Sequence, residues 1–156
     1  MIPTPEWPPT VRAIARATED AIGSARVKAK VAFADAVEKL SSEDHAQVGA
    51  IHAEMVRSLL EELHPDGLTG EDVQDALSSA VRSAVEWYPD LDVQGFVEVL
   101  TGALGVADTE GNRPSPRAEH AVLIIADLLV RRNAAADVYT RRAVVEIQRA
   151  QTMEMP

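Results

Sequence analysis

Apolar positions along this chain recur at steps of three and four residues, the spacing of a helical face rather than the alternation of a strand. From Pro9–Thr10 the series Val11, Ala15, Thr18, Ile22, Ala25, Ala29, Ala32, Ala36 predicts one long first helix with a narrow, coiled-coil-like seam. Phe33, Val37 and Leu40 widen the seam at its end, and Gly23–Ser24 marks a bend or a close contact within it. Most seam residues are alanine, so a facing helix can come close.

Ser41 and Asp44 read as an S-x-x-D capping box that opens a second helix running to about Leu63, with Val48, Ile51, Met55, Leu59 and Leu63 on one face. His64-Pro65-Asp66-Gly67 stops it, because a residue before proline resists helix and Gly67 permits the turn. Thr69 and Asp72 form a second capping box for a third helix, with Val73, Ala76, Leu77, Ala80, Val81 and Ala84 inward until Pro89-Asp90 interrupts it after Trp87-Tyr88. A fourth is predicted from Asp92 to near Gly105, presenting Val93, Phe96, Val97, Leu100 and Leu104. Asp72-Val73-Gln74 and Asp92-Val93-Gln94 recur, each at a helix start, and like capping needs explain them better than a repeat.

Val106 to Pro116 reads as a loop whose Ser115 caps the next helix, with Pro116 in the first turn. No Gly or Pro lies between Arg117 and Gln151, which predicts a continuous or slightly kinked last helix over 117–151. Its segment Ala121–Val130 is apolar on nearly every face, placing it at the centre of the molecule or at an oligomer interface. The expected fold is all-α, a helical bundle or irregular array of five to six helices with the long C-terminal helix as its spine. One domain over 10–151 follows an extended, mobile, proline-rich segment, 1–9, and precedes a short tail, 152–156.

Composition supports helix: 25 of the 156 residues are alanine and only 4% are aromatic. The absence of cysteine removes disulfides, thiolate nucleophiles, zinc fingers and iron–sulfur clusters, and fits a reducing compartment. Arginine outnumbers lysine twelve to three, which points to a GC-rich, bacterial genome. Met1–Pro9 lacks the positive start of a signal peptide, and the ten-residue apolar run 121–130 is about half a membrane span. A soluble cytoplasmic protein without membrane association is therefore expected.

Charge is unevenly spread. Residues 1–40 carry a net +1, residues 41–110 a net −13 and residues 111–156 a net +2, for −10 overall. An acidic middle argues against nucleic-acid binding, which needs a basic footprint. It serves either as a solvated surface or as a face for a basic protein partner, the chain's own arginine-rich C-terminus across a dimer included.

Few side chains are arranged for chemistry. Glu61-x-x-His64 has the spacing of di-iron carboxylate bundles, but those need two such motifs and two further glutamates, and His64 is better explained by its place at a helix C-terminus. His45 and His52 share one side of the second helix about 10 Å apart, too far to hold one metal, and read as partly buried, hydrogen-bonded histidines. The acidic pairs Glu43-Asp44, Glu61-Glu62 and Glu71-Asp72 invite comparison with helical magnesium-dependent nucleotide hydrolases. The E-x-x-E and E-x-x-D spacings of that family are missing, however, and Glu71 and Asp72 suit a first helical turn. Asp127 breaks the apolar run and is expected at a rim, paired with Arg131 at i+4. Arg131, Arg132, Arg141, Arg142 and Arg149 make the last helix basic without a Gly-rich phosphate cradle, and pairing with the acidic middle accounts for them.

The expected function is that of a non-enzymatic interaction or assembly protein, a homodimer through its first or last helix, with no cofactor. The alternative is a helical metal-dependent enzyme or metal-binding protein drawing ligands from Glu54, Glu61, His64 and His120. An apolar small molecule bound within the bundle is a third class, which a cavity of roughly several hundred Å3 would favour.

Overall fold

The structure, a computed structural model, describes residues 7–89, 91–105 and 118–154. These form seven α-helices and, among the described residues, no strand: α1 (Pro9–Arg26), α2 (Lys30–Ser41), α3 (His45–Leu63), α4 (Gly70–Val85), α5 (Val93–Ala103), α6 (Ala118–Arg132) and α7 (Ala136–Glu154). The all-helical array is as expected, but the count exceeds five to six because both long helices are broken. The expected loop over 106–116 and its Ser115 cap lie outside the described residues.

The first helix ends at Arg26. Lys28 takes a left-handed φ of 58° and its N–H bonds to the Ala25 carbonyl, while the Ala29 N–H bonds to Ser24. These two bonds make a Schellman ending with lysine where glycine is usual. The seam Val11, Ala15, Thr18, Ile22, Ala25 is buried as expected, and so are Phe33, Ala36 and Leu40 of α2, but Ala32 of the expected seam is exposed. The 117–151 helix is broken in the same way: Asn133, at φ 56°, donates its N–H to Val130, and the Ala134 N–H reaches Leu129. Asparagine enters left-handed backbone more readily than other non-glycine residues, so neither Gly nor Pro was needed.

Caps set the other boundaries. Thr69 and Asp72 form the capping box, and Asp92 caps α5 through the Gln94 N–H at 3.1 Å. For α3 the cap is Asp44 itself, which accepts from the Ala46 N–H at 3.0 Å. Ser41 instead bonds back to the Glu38 carbonyl at the end of α2, so the expected S-x-x-D box does not form.

Helices α1, α6, α3 and α7 pack in that cyclic order as a four-helix core, and α2, α4 and α5 close over the remaining sides of α6. This explains the all-round apolarity of α6, in which Ala121 through Ala126, Leu128 and Leu129 are all buried. Of the two surfaces that pointed to a dimer, this segment and the α1 part of the alanine seam are covered within one chain. Trp7, at the end of the proline-rich segment, is also buried and so anchors the start of α1. An edge-to-face cluster of Phe33 with Trp87 and Tyr88, ring centroids 5.2 and 5.5 Å apart, ties α2 to the end of α4.

Candidate functional site

Asp127 turns toward α4, not along its own helix. Ser79 and Ser83, one turn apart on α4, donate their hydroxyls to its two oxygens, Oδ2 at 2.7 Å and Oδ1 at 2.8 Å. The expected ion pair with Arg131 does not form; Arg131 is exposed. Two short hydroxyls on a packed neighbour each bond one oxygen of the carboxylate without immobilising a long arginine side chain, which is entropically cheaper. Beside this cluster α1, α4 and α6 leave a half-open cleft of about 190 Å3. Ala25, Ala84, Leu123 and Trp87 form its apolar walls, Asp127 lines it, and exposed Arg26 and Lys28 border it.

The four residues proposed as metal ligands sit in separate settings. Glu54 pairs with Arg57 on its own helix, beside a second cleft of about 290 Å3 between α3 and the end of α5. Glu61 is exposed on α3. His64 is the C-cap of α3, as its helix-end position implied, with Nδ1 3.5 Å from Asp72 Oδ2. His120 is buried on α6, its ring edge-on to Phe96 at 5.4 Å and its Nε2 4.0 Å from Glu119 Oε1. Glu119, in the first turn of α6, accepts a short hydrogen bond from the Tyr88 hydroxyl. A Cβ on Gly95 would lie 2.4 Å from the His120 ring, so the close approach of α5 to α6 requires glycine there. Among the described residues no three His, Asp or Glu side chains are grouped to hold a metal ion.

Other titratable groups are bound into the scaffold. His52 is buried at the centre of the four-helix core, sharing a 2.9 Å hydrogen bond with Thr18, and burial pushes its pKa down to about 4. His45, by contrast, is exposed. Hydrogen bonding with Thr69 holds the Asp72 carboxyl below its ordinary range. Burial, with Asp137 and Asp20 nearby, raises Glu19, against the pull of Arg141.

One cluster had no local signature. Glu62 accepts from the Tyr139 hydroxyl at 3.0 Å, from Arg142 at 3.1 Å and from Arg132 at 3.5 Å, joining α3 to the α6–α7 junction. Burial and the Glu62 carboxylate push the Tyr139 pKa up. Two arginines of the basic C-terminal region thus share one carboxylate of the acidic middle segment within the chain. In α3, Glu62 is merely the neighbour of Glu61; only the fold brings its partners across 70 to 80 residues of sequence.

No helix of the described residues is long and apolar enough to cross a membrane. Compared with protein-family models, with curated proteins and with solved structures, the chain finds no match.

Proposed function

We propose that this chain is a non-enzymatic interaction or assembly protein of the cytoplasm that engages a basic protein partner through its acidic face. The observation that carries this reading is the corner where α3 passes into α4. Glu61, Asp66, Glu71 and Asp75 are exposed there, and no cation among the described residues lies within ion-pair distance of any of them. Glu54, Glu62 and Glu86, by contrast, already have arginine or lysine partners. Carboxylates left unneutralised along one turn raise the local negative potential, which steers and orients a cationic surface.

The test is co-purification from native extract with the intact chain and with an E61K/D66K/E71K/D75K variant whose helicity is checked by circular dichroism. A basic partner retained by the former and lost by the latter supports the reading; identical recoveries overturn it. A homodimer belongs to the same proposal through α7, where Val138 and Val145 stand half-exposed seven residues apart on one face. Native mass spectra showing only monomer at micromolar concentration would remove that part.

A further inference from the structure

We infer that the cleft between α1, α4 and α6 is a binding site for a single primary ammonium group carried on a short aliphatic stem. The inference is independent of the acidic corner, which lies at the other end of α4.

Asp127 supplies the first reason. Each of its oxygens takes one neutral hydroxyl, from Ser79 and Ser83. A carboxylate accepts about four hydrogen bonds, so roughly two acceptor positions are unused. Neutral donors also leave its charge uncancelled, and no cation among the described residues is within ion-pair distance. Lys28, which borders the same cleft, is turned to Glu86 at 3.5 Å. A clasp between α4 and α6 alone needs no charge, since apolar groups of the same shape hold two helices equally well.

The walls supply the second. Ala25, Ala80, Ala84, Leu123 and Ala126 offer an aliphatic lining, and Trp87 adds an aromatic surface able to attract a cation. The volume of about 190 Å3 falls short of the roughly 300–1,000 Å3 typical of drug-sized ligands, and suits a chain of a few carbons. Arg26 and Lys28 at the border repel any cation, Lys28 less so because Glu86 offsets it, and they disfavour a polyamine more than a monocation. The same ammonium arrives either on a free alkylamine or on the lysine side chain of a partner protein.

The experiment is a 15N–1H NMR titration of the full chain with n-butylammonium chloride, with n-butanol at the same concentrations, and with Nα-acetyl-lysine methylamide, at fixed ionic strength. Saturable shifts at Ser79, Ser83 and Asp127 with butylammonium but not butanol are expected. Asp127→Asn should weaken binding about tenfold, the scale of losing one partly solvated charge-assisted hydrogen bond. Tighter binding of the lysine derivative assigns the ammonium to a protein partner, and equal or tighter binding of butylammonium assigns it to a free amine. Butanol binding as well as butylammonium, or neither amine saturating, overturns the inference without recourse to any variant. Undiminished binding by a folded Asp127→Asn does the same.

Discussion

At the centre of the four-helix core His52 is 2% exposed, and its Nε2 meets the Thr18 hydroxyl at 2.9 Å. Burial pushes its pKa from 6.5 down to about 4, so the folded chain keeps the ring neutral where the unfolded chain protonates it. Between those values the unfolded state binds more protons, and stability, fully present above pH 6.5, falls as pH drops toward 4. The loss amounts to roughly 3 kcal/mol at the lower limit. Urea unfolding at pH 7 and near pH 4.5 checks it: the wild type should lose on the order of 2 kcal/mol more than a Thr18→Val/His52→Leu double variant. Equal losses would place the acid sensitivity elsewhere. At pH 7, Thr18→Val alone should cost about 1–3 kcal/mol because it strands a buried ring nitrogen, and the double variant should recover most of that. Both residues are legible in sequence as members or neighbours of apolar stripes. Their meeting is not, because it depends on α1 and α3 facing each other across the core, with the two residues 34 apart in sequence. Asp127 teaches the same lesson from the other side. The local i+4 rule names Arg131, and two serines on a facing helix displace it.

At the scale of elements, what can be read locally is what is stabilised locally. The Thr69–Asp72 box and the Asp92 cap involve groups two or three residues apart, so their residue types announce them. The breaks at Lys28 and Asn133 are different: no proline or glycine marks them, and periodicity runs on through both. They exist because tertiary packing rewards a change of direction, burying Phe33 on α2 and Tyr139 on α7, by more than the left-handed residue costs. That cost is testable. Lys28→Gly should raise stability by about 1 kcal/mol, the usual relief when glycine takes a left-handed position from a side-chain-bearing residue. Asn133→Gly should gain only a few tenths of a kcal/mol, since asparagine tolerates this backbone. Denaturant midpoints at unchanged m would report both. A larger gain at 133 than at 28, or a loss at 28, would mean that the side chains rather than the backbone hold these turns.

Over the whole molecule the charge segregation of the sequence resolves at Glu62. There a chain with a net −13 in its middle segment meets Arg132 at the end of α6 and Arg142 on α7. Helix α7 lies against α1 and α3, with Tyr139, Thr140, Ala143 and Val144 buried, whereas its residues from Arg149 to Thr152 are exposed. It therefore has less apolar surface to hold it than α6, which is buried on nearly every side. Glu62 fastens the N-terminal half of α7, and Glu62→Ala leaves the Tyr139 hydroxyl and two guanidiniums without their shared acceptor. The Arg132 and Arg142 side chains are about half exposed, so solvent screens the ion pairs, and the loss should come mainly from the tyrosine hydrogen bond, roughly 1–2 kcal/mol. Because the central helix has its own burial on five sides, that loss should be local. Native-state hydrogen exchange should show amides of residues 139–147 losing protection in Glu62→Ala while those of 121–129 keep theirs. Matching losses in both helices would mean that α7 opens only with the core. The four-helix arrangement would then be one cooperative unit, and Glu62 a contributor to global stability rather than a latch on a separable element.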